Sequence, residues 1–222
     1  AVCFVLTRHL WKEKPAENGA APARLTDYST PMLETLREPR AWLSIGIFFV
    51  YTGMEVTLGH WIYTLLTEGR GVAPATAGMW AGSYWGMFTV GRILAGLYAR
   101  RWRIKGLGRI SLGAALVGAL LLWWNPAQGV SLFGVALTGF AIAPIFPALV
   151  SGTQQRVGAE HAANTIGMQI GAAGLGGALL PGAAGVIARY TTLEAIPIFL
   201  SIIILVLLGL YMLALRTARV HS

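Results

Sequence analysis

The sequence is short of charge. Only 12% of its 222 residues are Asp, Glu, Lys or Arg, against about 25% in a soluble domain. With 55% hydrophobic residues and a mean hydropathy of +0.62, this much apolar surface does not fit inside one globular core, and lipid is its natural solvent. Cysteine is almost missing. A lone Cys3 excludes an intrachain disulfide and gives no sign of an oxidising compartment. The marks of soluble enzymes are lacking too: no zinc-ligand spacing, no phosphate-binding loop, no nucleophile elbow and no nucleophile–base pair. Gly174, Gly176 and Gly177 lie in an apolar stretch with no strand before them, which argues against a dinucleotide-binding turn. The chain therefore reads as a non-enzyme without a cofactor or metal. The period-two alternation of a β-barrel is absent as well. The net charge is +8, but the basic residues sit between apolar runs rather than along one polar face, so nucleic acid is not the expected partner.

What the sequence does have is long apolar runs. About 20 residues of helix cross a hydrocarbon core of roughly 30 Å. Six stretches reach or approach that length: 42–66, 74–99 (opened by Pro74), 107–124, 129–153, 162–188 and 193–215. Backbone groups in lipid must be satisfied within their own segment, so these are helices. The fold class expected is an all-α membrane protein, a six-transmembrane-helix bundle over 42–215. Short links at Thr67–Ala73, Asn125–Gln128 and Tyr190–Thr192 make sequence neighbours antiparallel neighbours.

Lys and Arg set the orientation. One side receives Arg8, Lys12, Lys14, Arg24, Arg37, Arg40, the loop Arg100, Arg101, Arg103, Lys105 and Arg109, then Arg156, Arg216 and Arg219. The other receives Arg70 and Arg189. This asymmetry predicts a multi-pass protein of the cell membrane with both ends cytoplasmic. Residues 1–11 read as the tail of a preceding transmembrane helix, and 216–222 as a cytoplasmic tail. Residues 12–41 read as a cytoplasmic linker holding a short surface helix, started by Thr30-Pro31 and stopped by Pro39.

Several residues carry candidate chemistry. Glu55 lies mid-span, where an ionisable group is costly and commonly marks an ion or substrate path. It can load and release a coupling ion, or it can be a structural carboxylate bonded to a neighbouring helix. Tyr51 shares its stripe. His60 and Trp61 lie in the outer half of that span, and Trp61 can line a cavity or pack. Tyr84 and Trp85 offer ring faces of the kind that stack on sugars, though packing or an interface belt suits them equally. Gly78, Gly82 and Gly86 recur every four residues, a pattern that suits close helix packing. Arg92, near the cytoplasmic end of its span, suits a structural or gating role. Pro144 and Pro147 must kink or loosen the fourth span and free the carbonyls near Phe140 and Ala143, which marks a hinge or a cavity wall. In the fifth span Asn164, Gly167, Gly171, Gly174 and Ala178 form one stripe, while Gln169, Ala173 and Gly176 lie on another. The Gln169 amide can hydrogen-bond a hydroxylated solute or another helix.

The order of these features carries a resemblance. A polar linker leads into FFVYTGMEVTLGHWIYTLL, then a glycine-rich helix, a basic loop, APIFPALVSG and RVGAEHAANTIGMQIGAAGLGGALLPGAAG. This resembles spans seven to twelve, the C-terminal half, of a major facilitator superfamily transporter. The Tyr-x-Gly-x-Glu-Val pattern at Tyr51, Gly53, Glu55 and Val56 is similar to the fucose permease and sodium-dependent glucose transporter branch. One departure stands out. The superfamily's Gly-x-Leu-Ala-Asp-Arg loop reads Gly96-Leu97-Tyr98-Ala99-Arg100-Arg101 here, so that aspartate's role does not carry over.

The resemblance implies two six-helix halves rocking about a central cavity. The first and fourth spans would line it, the second and fifth flank it, and the third and sixth lie outside. It implies a symporter of a small polar solute, with a sugar as leading candidate, driven by alternating access and coupled to a proton or sodium gradient. Glu55 would be the coupling site. Tyr51, Trp61, Tyr84, Trp85 and Gln169 would contact solute, and Arg92, Pro144 and Pro147 would serve gating. The partners implied are the solute, the ion, membrane lipid and an N-terminal six-helix half from the same polypeptide, a separate chain or a second copy. The rival expectation is a non-transporting membrane subunit that serves as an assembly platform.

Overall fold

The computed structural model describes residues 30–98 and 104–219. The expected preceding helix tail at 1–11, the linker over 12–29, the core of the basic loop and the last residues of the C-terminal tail lie outside them. All regular structure among the described residues is helical.

The short helix α1, Met32–Thr35, starts after Pro31 as expected, but Pro39 does not stop it. Pro39 instead opens the next helix, α2, Pro39–Thr64. Its fixed φ suits a first helical turn, where the missing N–H has no intrahelical role. The Glu38 side chain caps that turn by accepting from the Arg40 amide at 3.3 Å. The first span thus begins three residues earlier than its apolar run, and a π-helical turn at Leu65–Gly69 extends it.

The chain then runs through α3, Pro74–Tyr98, α4, Ile104–Trp124, and α5, Gln128–Ile142. Two short helices follow, α6, Ile145–Ser151, and α7, Thr153–Val157. Gly158, at φ +86° where side chains are strained, turns the chain into α8, Ala159–Tyr190. The last helix is α9, Ala195–Arg219.

Among the described residues five stretches are long and apolar enough to cross a membrane: Pro39–Gly69, Gly106–Trp124, Gln128–Ser151, Ala159–Tyr190 and Ala195–Thr217. The expected second span is not among them. Helix α3 does form, and its 25 residues reach about 37 Å at 1.5 Å each. Its glycines, hydroxyl residues and Arg92 dilute its apolar character.

The helices interlock as two triplets. Helices α2, α3 and α4 form the first; α5 with α6, then α8 and α9 form the second. The first helix of each triplet lies on the second helix of the other: α2 on α8, and α5 on α3. The third helix of each lies on the first of the other, α9 on α2 and α4 on α5, and α9 meets α4. The core is continuous through all of them, from Ile47, Phe48 and Met54 to Leu112, Ile142, Ile196 and Leu207. As their aliphatic composition predicts, α4 and α9 turn Val117, Leu120, Ile202, Leu205 and Val206 outward.

Candidate functional site

Glu55 sits on α2 in a partly open position, one turn beyond the fully buried Tyr51. The Tyr51 hydroxyl lies close enough to the Glu55 carboxylate for the two groups to act on each other. It donates its proton to the Ile142 carbonyl at 3.1 Å. That carbonyl ends α5, where the chain breaks at 143–144 before restarting as α6. The phenol therefore sits between the carboxylate of one helix and the loosened backbone of another. The break lies at Pro144. Pro147 falls in the first turn of α6, where its lost donor is not needed, so it bends nothing by itself.

Around this junction lies an aromatic cluster. Phe146 packs edge-on to Phe48 at 5.3 Å and tilts against Tyr51 at 6.0 Å. The Arg92 guanidinium lies over the Phe88 ring at 4.4 Å and near Phe146 at 5.9 Å. It is close enough to Glu55 for the two charges to act on each other, but not in ion-pair contact. Trp85, one heptad before Arg92 on the same face of α3, is 43% exposed and stacks edge-on to Phe88 at 5.7 Å.

The other expected solute contacts lie elsewhere. Tyr84 is fully buried and donates to the Glu55 backbone carbonyl at 2.8 Å, so it braces α3 against α2. Tyr51, also fully buried, presents no surface to a solute. The Trp61 indole donates to the Pro181 carbonyl at 2.9 Å and fills the space left by Gly185, which makes it a packing residue between α2 and α8. Gln169 is fully buried too, and accepts from the Thr153 hydroxyl at 3.1 Å. Burial removes Tyr51, Tyr84 and Gln169 from direct solute contact in this arrangement, and the half-buried Trp61 is engaged in packing; Glu55, Trp85 and Arg92 keep open surface. His60 is exposed, with its ring 5.6 Å from Trp61.

The glycines divide in a way the sequence did not predict. Gly53 and Gly176 hold the α2–α8 crossing: a side chain at Gly176 would strike the Phe49 carbonyl. Gly91 and Gly139 hold the α3–α5 crossing against the Phe140 and Tyr84 carbonyls. Gly78, Gly82 and Gly86, expected to pack, meet nothing within 4 Å, and neither do Gly167, Gly171 and Gly174. Two glycine stripes therefore stay open, one on each helix expected to flank a cavity.

Two polar assemblies escaped sequence reading. At one end Arg156 donates to Ser44 at 3.1 Å, the Leu149 carbonyl at 2.6 Å and Thr153 at 3.0 Å, tying α2, α6 and α7 together. Burial lowers its pKa from 12.5 to about 10, which leaves it charged at neutral pH. At the same end Asn164 donates to the Thr30 carbonyl at 2.8 Å and to Thr35 at 3.1 Å, pinning α1 onto α8. At the opposite end Arg70 forks onto Glu194 at 2.6 and 2.7 Å and reaches the Leu122 carbonyl at 2.7 Å. In sequence Arg156 and Arg70 appeared only as orientation charges. A lone Arg in a short inter-span link was the available signal.

Two open clefts lie at Trp123, Trp124 and Glu194, roughly 580 Å³, and at Arg70 and Asn125, roughly 210 Å³, and neither includes Glu55. Glu55, Trp85 and Arg92 line a wall and not a chamber.

Comparison with known proteins identifies the family. The family model of the Major Facilitator Superfamily matches residues 1–181. The chain belongs to the major facilitator superfamily. It is also similar to Bypass of stop codon protein 6 of Saccharomyces cerevisiae, 28% identical over 189 residues that make up 81% of this chain and 38% of that protein. The chain thus spans about two fifths of the curated relative it matches. Membership of the superfamily and the apolar helices make this a multi-pass membrane protein.

Proposed function

We propose that this chain forms one wall of a secondary active transporter, a symporter that moves a small polar solute by alternating access. Glu55 is its coupling carboxylate for a proton or a sodium ion. A partly open carboxylate at mid-span, close to Tyr51 and so to a helix break, is the observation that carries this reading. A titrating Glu55 can change its hold on Tyr51, and Tyr51 holds the carbonyl at which α5 gives way. Ion loading and the break at 143–144, the proposed hinge, are thereby linked. A sugar is the leading class of solute, with Trp85 as its ring platform.

In this reading α3 completes a six-span half with both ends cytoplasmic. The opposing wall is a second six-helix half, supplied by the same polypeptide, another chain or a second copy. The open stripes at Gly78, Gly82 and Gly86 and at Gly167, Gly171 and Gly174 suit its close approach.

The test is uptake by proteoliposomes holding this chain together with its opposing half, under a proton gradient and then a sodium gradient. Accumulation should collapse with one of the two, and Glu55→Gln should abolish accumulation while the protein still folds. A Glu55→Gln protein that accumulates solute like the parent overturns the coupling role. The open glycine stripes also suit a non-transporting assembly subunit. That reading gains if a folded, fully assembled protein moves no solute and retains other membrane proteins.

A further inference from the structure

We propose that Arg92 binds the carboxylate of the transported solute, which narrows the solute from sugars in general to hydroxylated organic acids such as sugar acids. This inference rests on the transporter reading above. It starts from an imbalance among the guanidinium groups. Arg70 and Arg156 both have acceptors within the fold: Arg70 forks onto Glu194 and reaches a carbonyl, and Arg156 donates to Ser44, Leu149 and Thr153. Arg92 lies eighteen residues along a 25-residue helix, toward its C-terminal end and with its side chain exposed, where acceptors could reach it. Yet among the described residues no carboxylate comes within 4 Å of it, and no side chain or carbonyl accepts from it.

What Arg92 has instead is ring faces. The guanidinium carbon lies over the Phe88 ring at 4.4 Å and near Phe146 at 5.9 Å. Ring faces of this kind hold the charge without supplying an oxygen acceptor. A guanidinium held by rings, exposed and bonded to no acceptor, can still offer the two parallel hydrogen bonds of a carboxylate. Seven residues back on the same face, the exposed ring of Trp85 gives the rest of the solute an apolar platform. Trp85 and Phe88 are in contact, as are Phe88 and Arg92. A hydroxylated ring bearing one carboxylate therefore meets a continuous surface.

The charges then account for coupling. With the site empty, ionised Glu55 offsets Arg92. With an anion on Arg92, the site is neutral only if Glu55 carries a proton. Proton and anion therefore favour each other reciprocally. One carboxylate and one proton cross together, and no net charge moves.

The experiment is calorimetric titration of the full-length protein at mildly acid pH with D-gluconate and D-glucuronate, and with uncharged D-sorbitol and D-glucose. The acids should bind at least tenfold more tightly than the neutral solutes. Arg92→Gln should erase that preference, and Arg92→Lys, which keeps the charge but not the fork, should retain part of it. Uptake of either acid under a proton gradient should generate no membrane potential. Neutral sugars binding as tightly as the acids to the parent protein would overturn the inference and leave the transporter reading intact, a result that needs no variant to fold. Acid preference undiminished in both variants would overturn the role of Arg92. A folded parent that binds none of the four would overturn the inference and the sugar-class reading together.

Discussion

At the α2–α8 crossing Gly53 and Gly176 let two backbones meet. At the α3–α5 crossing Gly91 and Gly139 do the same. The two crossings occupy equivalent places in the interlocked triplets, first helix on second in each case. Their inward helices nevertheless differ. Helix α2 runs unbroken through mid-span and carries Glu55, whereas α5 carries no charge and breaks at 143–144. Packing explains what the crossings share. It does not require the charge on one side or the break on the other, so those two features are where function is to be sought, and Tyr51 joins them.

Filling the packed glycines should have the largest effect. Gly176→Leu would drive a side chain into the Phe49 carbonyl, and Gly139→Leu one into the Tyr84 carbonyl. Backbone cannot yield as a side-chain tip can. Each change should cost about 3 kcal/mol or more and lower the yield of monodisperse protein several-fold, read by size-exclusion chromatography. Gly82→Leu, on the open stripe, should leave this bundle's stability within about 0.5 kcal/mol while hindering assembly with the opposing half. Equal losses for Gly82→Leu and Gly176→Leu in this chain alone would erase the distinction between packed and open glycines.

These glycines also mark what the sequence could tell. Helical spacing separated the Gln169, Ala173 and Gly176 stripe from the Gly167, Gly171 and Gly174 stripe, and the structure buries the first and opens the second. Spacing could not say which glycine faces meet a neighbour, because that depends on which helix lies opposite. Gly78, Gly82 and Gly86 look more regular than Gly53 and Gly176, yet only the second pair packs. The break at Pro144 was legible because proline removes a donor wherever it sits. The partners of Tyr84, Trp61 and Gln169 were not, since each bonds to backbone or a hydroxyl on another helix, and single-helix periodicity does not record those contacts. Glu55 stood out by cost alone. Arg92 carried the same signal, but its ring partners come from two helices and only the fold brings them together.

A middle-sized effect tests the two ends of the bundle. Arg70→Ala removes a forked ion pair whose Glu194 side chain is 43% exposed, so water can re-solvate the carboxylate. Arg156→Ala strands the hydroxyl of Ser44, which is 1% exposed, and takes a donor from Thr153, which is fully buried. Losses of about 1–3 kcal/mol are expected from such hydrogen bonds to a charged group, with Arg156→Ala the larger. Thermal midpoints in detergent at low and high salt check this. Salt should weaken the parent's advantage over Arg70→Ala, whose contact is a partly exposed ion pair. It should leave the advantage over Arg156→Ala unchanged, because that guanidinium bonds only neutral groups. The reverse ranking would mean that the exposed fork, and not the buried network, holds the bundle together.

The finest distinction is between two tyrosines. Both are fully buried, and both hydroxyls donate to backbone carbonyls, Tyr51 to Ile142 and Tyr84 to Glu55. Phenylalanine at either site should therefore cost about 1 kcal/mol, nearly the same small fall in thermal midpoint. Function should separate them. The Tyr51 hydroxyl also lies near the Glu55 carboxylate, whereas the Tyr84 hydroxyl bonds the peptide oxygen of that residue. Tyr51→Phe should displace the pH profile of uptake, and Tyr84→Phe should leave the profile in place while lowering stability alike. If the two variants shift the profile equally, Tyr51 has no special hold on Glu55, and the proposed link from the carboxylate to the break in α5 fails with it.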